Sequence, residues 1–268
     1  MTTIANARMY SATPELRGHW KTLLAWVLRH ARLDWELLDY EAPAPLAQLW
    51  ARDDLGAVLM CGLPFSRHYP RAQPVAAPIP SPAHYGGRAV YFTDIVVPAG
   101  SAARELADTF GGRVGITVPD SLSGAVALAE HLQPYRKAMG RPLYSAVVGG
   151  LIHARGVIQS LSDGRIDVGP LDSYYHDLLR AADPQFASRV RVVARTVPRP
   201  LPLFVATAPL SAAVMASLRD AFAASAETPQ LATQRAALLL KGFAFPGAHD
   251  YESLRELPER LESPNDAF

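Results

Sequence analysis

The spacing of apolar residues in the first sixty positions alternates between two periods. A short candidate strand over 7–11 ends at Tyr10 and Ser11, and Thr13 followed by Pro14 is a cap-and-proline pair typical of a helix N-terminus. The next apolar residues recur at helical spacing on one face, and they are Leu16, Trp20, Leu23, Val27 and Ala31. Further runs predict a strand over 35–40, a helix over 46–55 and a buried strand over 57–61. This β-α-β-α-β order predicts a parallel sheet with helices on its faces.

A second α/β series follows a proline-rich passage, 66–87, which predicts irregular chain or an edge strand. The predicted strands cover 88–97, 113–118, 144–148, 166–169 and 190–196, and the predicted helices cover 102–109, 124–132, 154–162 and 174–182. Three prolines at 198, 200 and 202 then lead into a strand over 203–207 and two last helices, 211–225 and 230–240.

This pattern predicts two lobes joined by two extended crossings. The first lobe would comprise 1–93 and 203–268, and the second would comprise 94–202. The fold class is α/β, with two parallel-dominated sheets, helices on both faces and a ligand cleft that opens and closes about a hinge.

The segment from Val118 to Gly124 lies where a predicted strand turns directly into a helix. Backbone N–H groups at a helix N-terminus are unpaired and carry partial positive charge. The hydroxyls of Ser121 and Ser123, with Gly124 allowing close approach to the backbone, predict a small cradle for an oxyanion. The segment matches neither a Walker loop nor GxGxxG, and a serine that merely caps the helix is the alternative.

Composition narrows the function classes. With 26 basic and 25 acidic residues the net charge is +1, which argues against nucleic acid or an anionic membrane as the partner. Cys61 is the single cysteine, so an intrachain disulfide and a cysteine-based zinc site are excluded. The sequence contains no cofactor-binding motif. The histidines at 84, 131, 176 and 249 do not have the spacing of metal ligands. No apolar stretch is long enough to insert in a membrane.

The second series resembles the phosphate, phosphite and phosphonate substrate-binding proteins of ABC transporters, the PhnD-like family. The matching motifs are 105–115, Ser121-Leu122-Ser123-Gly124, Gly149-Gly150-Leu151-Ile152-His153, 164–168, 171–174 and the proline-rich return 198–205. The resemblance covers about 91–206 and implies the two-lobed periplasmic binding fold, type II.

The resemblance also implies a ligand site. The oxyanion would lie on the turn of Ser121, Leu122, Ser123 and Gly124, with His153 donating a hydrogen bond and Asp172 accepting one from a protonated oxygen. Residues of the first lobe near Tyr10 and Tyr91 would close over it. Each has a structural alternative: His153 as a solvent-facing helix start, Asp172 as a helix N-cap, and the two tyrosines as core aromatics.

Two departures from the family pattern bear on the ligand. Leu122 stands where the family has a hydroxyl residue, and Arg199 stands where some aminoalkylphosphonate binders carry an acid. The sequence favours a monomeric solute-binding protein, without cofactor or enzymatic activity, that closes on phosphate, phosphite or a phosphonate and partners an ABC transporter permease.

Two other functions stay open at this point. One is an enzyme on the same fold, acting on a small carboxylate or ring substrate with His153 or Asp172 as the base. The other is a ligand-sensing module. The resemblance implies the periplasm, whereas the N-terminus shows no signal peptide, which favours the cytoplasm.

Overall fold

The computed structural model describes residues 2–261 and 268, and its regular elements are mostly short. The strands are β1 (Ile4–Asn6), β2 (Glu36–Leu37), β3 (Leu55–Met60), β4 (Gln73–Pro80), β5 (Val90–Tyr91), β6 (Thr93–Pro98), β7 (Arg113–Gly115), β8 (Ala146–Val148), β9 (Gly169–Asp172), β10 (Val190–Arg195), β11 (Arg199–Pro200), β12 (Leu203–Ala206) and β13 (Leu240–Ala244).

The helices are distributed through the whole chain. They are α1 (Pro14–His30), α2 (Leu46–Trp50), α3 (Gly62–His68), α4 (Ala127–Met139), α5 (Ala154–Ser162), α6 (Ser173–Ala182), α7 (Pro184–Ala187), α8 (Ala212–Ser225), α9 (Ala232–Ala237), α10 (Glu252–Arg255) and α11 (Leu257–Arg260). A π-helical turn, Leu122–Val126, leads directly into α4.

The chain divides into two compact units. The first comprises Met1–Val90 and Pro200–Glu252, and the second comprises Tyr91–Arg199 and Ser253–Phe268. The C-terminal segment departs from the predicted division, which assigned everything after 203 to the first lobe. The carbonyl of Phe268 accepts hydrogen bonds from the amides of Leu143 (2.9 Å) and Tyr144 (3.1 Å), so the chain end belongs to the second unit.

The first unit contains a six-stranded sheet in the order β13-β4-β12-β3-β1-β2. The strand β1 pairs in parallel with β2 and β3, whereas β12 runs antiparallel to β3 and β4, and β13 runs antiparallel to β4. The prediction of a parallel-dominated sheet is therefore wrong for this unit. The parallel pairs come from the local β-α-β series at the start of the chain. The strands β12 and β13 join the sheet after the chain has passed through the second unit, and they run antiparallel to β3 and β4.

The proline-rich passage forms a helix and a long strand rather than irregular chain. The strand β4 contains Pro74, Pro78 and Pro80 although proline removes a backbone donor. Its first half pairs only with β12 and its second half only with β13. Each proline therefore has one unpaired side, as on an edge strand. The strand β13 was not predicted either. The segment 230–240 was predicted as a helix, but only Ala232–Ala237 is α-helical.

The first helix forms as predicted. Thr13 caps α1 by accepting the Leu16 amide at 3.2 Å, and Pro14 occupies the first helical position. The face that carries Leu16, Trp20, Leu23 and Val27 is fully buried.

Gly18 in this helix offers a simple stability test. It lies in the helix interior, and a Cβ there would meet nothing within 4 Å. Because glycine costs about 1 kcal/mol relative to alanine inside a helix, we expect Gly18→Ala to raise the free energy of unfolding by 0.5 to about 1 kcal/mol. Urea denaturation measures this change. Gly111 is the matched control: it also has open space but has φ +86°, so Gly111→Ala should destabilise, and equal shifts would contradict the interpretation.

The second unit has β6 between β10 and β9, both antiparallel to it, while β7 pairs in parallel with β8. A single parallel bridge between Val114 and Val168 joins these two groups of strands. The second unit therefore combines an antiparallel three-stranded sheet with a parallel pair, and it is not mainly parallel. The strand predicted over 166–169 begins later, at Gly169, and continues to Asp172, and the helix predicted over 102–109 is reduced to a 3-10 turn, Leu106–Thr109.

The core of the second unit lies under α4. Leu128, Ala129 and Leu132 of this helix pack with Ile95, Val97 and Val114 of the sheet, and Phe268 packs in the same cluster. Burial of these side chains fixes α4 on the sheet, so the turn at its N-terminus has a defined position.

Candidate functional site

The predicted cradle is the π-helical turn at the start of α4. Ser121 is its N-cap, with the side-chain oxygen accepting the Gly124 amide at 3.1 Å. The amides of Ala125 and Val126 both donate to the Ser121 carbonyl, and Ala127 donates to Leu122. The capping alternative thus holds for Ser121. It does not exclude ligand binding, since a hydroxyl that accepts one hydrogen bond still has a proton to donate.

Two backbone donors of this turn lack acceptors. Among the described residues, no hydrogen bond uses the N–H of Leu122 or of Ser123, as expected for the first helical positions. The Ser123 hydroxyl is likewise without a partner in the described part of the chain, and its side chain is half-buried. Leu122 is 0% exposed, so its side chain belongs to the core and only its N–H could serve a ligand.

Packing against Thr117 requires a glycine at position 124, which was not evident from the sequence. A Cβ there would lie 1.8 Å from the Thr117 side-chain oxygen, so the Thr117 side chain fills the space beside Gly124. The Thr117 amide also donates to the Gly124 carbonyl at 3.1 Å. The glycine therefore allows close contact with Thr117, not only close approach of a ligand.

His153 is held at the N-terminus of α5 by a tight turn. Its amide donates to the Leu151 carbonyl at 2.7 Å, and the intervening Ile152 has φ +64°. A β-branched residue with positive φ is a strained conformation, and such strain clusters at functional sites. Ile152 is 48% exposed.

The ring of His153 has a defined hydrogen-bond role. Its Nδ1 accepts the Gly156 amide at 3.2 Å and thereby caps the helix. In the neutral ring the proton is therefore on Nε2, which makes Nε2 a donor. The histidine caps its helix and also has the donor expected for an oxyanion.

Thr117 brings the cradle and the His153 loop together. Its carbonyl accepts the Gly150 amide at 3.0 Å, while its own amide is bonded to Gly124. The Ile116 amide donates to Val148 at 2.9 Å in the same region. The turn at 121–124 and the loop at 149–153 therefore leave the same edge of the sheet.

Asp172 is joined to the cradle through β6. It lies opposite Thr93 in the β6–β9 pair, and the Thr93 hydroxyl donates to the Ser123 carbonyl at 3.0 Å. Asp172 also caps α6, because its Oδ1 accepts the Tyr175 amide at 3.0 Å. Burial, and then the nearby charge of Asp172, raise the pKa of the Tyr174 phenol, so that group stays neutral.

The two tyrosines lie in different units, so the prediction that both belong to the first lobe is wrong for Tyr91. Tyr91 belongs to the second unit and is 1% exposed; the next residue, Phe92, exchanges backbone and hydroxyl hydrogen bonds with Ser173 beside Asp172. Tyr10 belongs to the first unit, is also 1% exposed, and its carbonyl accepts from the Trp20 indole at 3.2 Å. The structure thus groups the predicted residues of the second unit, and a binding role for each predicted residue, Tyr10 included, stays a prediction.

Three polar groups of the second unit were not predicted from the sequence. Thr93 and Thr117 connect the site segments, and Asp94 forms a buried charge cluster with His176 and Arg195. The available signal was a Thr-Asp pair inside the apolar run 91–97. Over residues 2–261 and 268, no group of three metal-ligating side chains could hold an ion, and no helix is long and apolar enough to cross a membrane.

The family of this chain is shown by its match to a family model. The model of the ABC transporter phosphonate periplasmic substrate-binding proteins matches residues 13–251. The chain belongs to this family. The phosphonate-binding family consists of periplasmic solute-binding proteins of transporters rather than enzymes, and membership implies a small ligand and a permease partner. No curated protein sequence matches the chain.

Solved structures confirm the type II periplasmic binding fold of the phosphonate-binding family. A binding-protein component of an ABC phosphonate transporter from Pseudomonas aeruginosa is 15% identical, with a TM-score of 0.77 over 96% of this chain and 86% of that one. PhnD1 from Prochlorococcus marinus, solved with methylphosphonate, is 14% identical, with a TM-score of 0.77 over 96% and 97%. XAC2383 from Xanthomonas citri, solved with ATP, is 21% identical, with a TM-score of 0.67 over 99% and 98%.

Proposed function

We propose that this protein binds a small phosphorus oxyanion, a phosphonate, phosphite or phosphate, for ABC-type transport. The observation that carries the proposal is the set of donors at the start of α4. The N–H groups of Leu122 and Ser123 and the Ser123 hydroxyl lack acceptors in the described chain, and the His153 loop leaves the same sheet edge. A helix N-terminus with such donors stabilises an anion.

The donors are neutral, which fits reversible binding of a compact oxyanion. Ser121, Leu122, Ser123 and Gly124 carry no charge, and the tautomer of His153 that caps the helix through Nδ1 can donate from Nε2. Asp172 would accept from a protonated ligand oxygen, which favours a monoprotonated phosphorus oxyanion over sulfate. We further propose that the protein is a monomer that docks on a permease in the periplasm.

Nucleotide is the second candidate ligand. The chain and XAC2383 cover each other almost completely, and that protein was solved with ATP. The phosphates of a nucleotide could use the same donors, so ATP belongs in any ligand test.

The test is thermal unfolding of the purified protein with phosphate, phosphite, methylphosphonate, aminoethylphosphonate, sulfate, ATP and an aromatic carboxylate. A ligand at one hundred times its dissociation constant adds about 2.7 kcal/mol of stability. We expect a small phosphorus oxyanion to shift the transition, and Ser123→Ala and His153→Ala to abolish the shift. Ser162→Ala is the matched control, since in the described part of the chain that hydroxyl bonds only to the Ile158 carbonyl within α5.

The other outcomes are equally clear. A shift with ATP alone would replace small oxyanions by nucleotide. A shift with the carboxylate alone would refute the proposed site. A shift that persists in both Ser123→Ala and His153→Ala would refute it as well.

A further inference from the structure

The π register of the cradle turn leaves one carbonyl for a partner outside the helix. In an α-helix the Ala127 amide would donate to Ser123, four residues earlier. Here the Ala127 amide donates to Leu122 and the Val126 amide donates to Ser121, each five residues earlier. The Ser123 carbonyl accepts instead from the Thr93 hydroxyl at 3.0 Å.

Thr93 is itself rigidly held. It is 1% exposed, its amide donates to the Thr196 hydroxyl at 2.9 Å, and its carbonyl accepts the Thr196 amide at 3.1 Å. It lies on β6, whose next residues Ile95 and Val97 belong to the core of the second unit. The hydroxyl is therefore a fixed donor aimed at the turn.

We propose that Thr93 is a positioning residue that holds the cradle in its π register. Single π turns interrupt α-helices frequently at functional sites. Without the Thr93 hydroxyl, the Ser123 carbonyl would lose this donor, and the donor that α geometry assigns to it is the Ala127 amide. Capture of that amide tightens the turn to α geometry and rotates the N–H groups of Leu122 and Ser123 away from the directions in which they serve an anion. The effect on affinity rests on the proposed function, whereas the effect on the turn does not.

The experiment compares Thr93→Val with the wild type and with Thr93→Ser. In ligand-free protein labelled for NMR, scalar coupling across hydrogen bonds reports which carbonyl accepts the Ala127 amide. We expect Leu122 in the wild type and in Thr93→Ser, and Ser123 in Thr93→Val. Titration calorimetry with methylphosphonate should then show at least a tenfold loss of affinity for Thr93→Val and near wild-type affinity for Thr93→Ser.

Thr109→Val is the matched control. Thr109 is also a buried threonine of the second unit whose hydroxyl donates to a backbone carbonyl, that of Leu106 at 2.6 Å. The Thr109→Val variant should lose stability without any change in the coupling of the Ala127 amide or in the affinity for methylphosphonate. An equal loss of affinity in both valine variants would show that Thr93 acts through general stability, which overturns the proposal.

The hydrogen-bond coupling of the wild-type protein alone also tests the proposal. Coupling of the Ala127 amide to Ser123 in the unmodified protein would overturn the proposal even if Thr93→Val failed to fold. Unchanged coupling in a folded Thr93→Val would overturn it as well. If the wild type binds no phosphorus oxyanion but the register shifts as expected, the proposed ligand class fails and the positioning role stands.

Discussion

Asp94→Asn is expected to lower the free energy of unfolding at pH 7 by about 3 kcal/mol, because an amide replaces a buried carboxylate that accepts charge-assisted hydrogen bonds. The Asp94 carboxylate is 1% exposed, accepts from His176 Nδ1 at 2.7 Å and from Arg195 Nε at 3.0 Å, and lies 3.8 Å from Arg180. Within the described chain His176 Nε2 is buried without a partner, so Asp94 provides the only hydrogen bond of that ring. Urea denaturation of both proteins measures the difference.

The same variant has a defined pH dependence. Burial raises the pKa of Asp94, but the hydrogen bonds and charges of His176 and Arg195 outweigh burial and hold that pKa below its usual value. A carboxyl group whose pKa is depressed by folding stabilises the folded state above its unfolded pKa, near 3.9, and loses that contribution as the pH falls through the folded pKa. The gap between wild type and Asp94→Asn should therefore be full at pH 6 and shrink below about pH 4.

An exposed ion pair is the control for this experiment. Asp39 pairs with Lys21 at the surface, and Asp39→Asn should leave the denaturation midpoint almost unchanged. If Asp39→Asn and Asp94→Asn had equal effects, or if the gap widened as the pH fell, the buried cluster would not have the stabilising role that its geometry indicates.

Gly156→Ala is expected to destabilise the protein by about 2 kcal/mol and to abolish ligand binding. A Cβ at Gly156 would lie 2.1 Å from the Leu151 carbonyl oxygen, a backbone atom that no rotamer change can move. The same oxygen accepts the His153 amide, and the Gly156 amide donates to His153 Nδ1. Displacing Leu151 therefore displaces His153. Thermal unfolding and calorimetry with methylphosphonate measure both effects.

Gly149→Ala is the matched control for the loop. Gly149 lies before the same turn, has no positive φ, and a Cβ there would meet only the Ile116 side chain at 3.8 Å. It should fold and bind like the wild type. Loss of binding in both variants would mean that the loop tolerates no added methyl group, and wild-type binding by Gly156→Ala would remove His153 from the proposed site.

Local signals in the sequence were sufficient for several elements. Thr13 and Pro14 defined the start of α1, and the helix predicted over 154–162 is α5, because cap chemistry and helical spacing act within one or two turns. The strand-to-helix turn with two serines was also local, and it sufficed to locate the start of α4. The family motifs added the fold, which the family match and the solved structures confirm.

Tertiary structure decided what depends on distant partners. The strands β4 and β13 form only because each finds an antiparallel neighbour far along the chain, and β4 tolerates its prolines only because each half pairs on one side. The C-terminal Phe268 packs with the second unit through hydrogen bonds to Leu143 and Tyr144, which no sequence pattern announces.

The candidate site divides in the same way. The sequence by itself determined which residues carry donors: the serines of the turn and His153. Only the tertiary structure showed that Thr117 fills the space at Gly124 and that Thr93 accompanies a π register, since both contacts join segments separated along the chain. Composition and spacing determine which donor groups a turn carries, because those signals are local. The packing of separate segments determines the positions and directions of these donors.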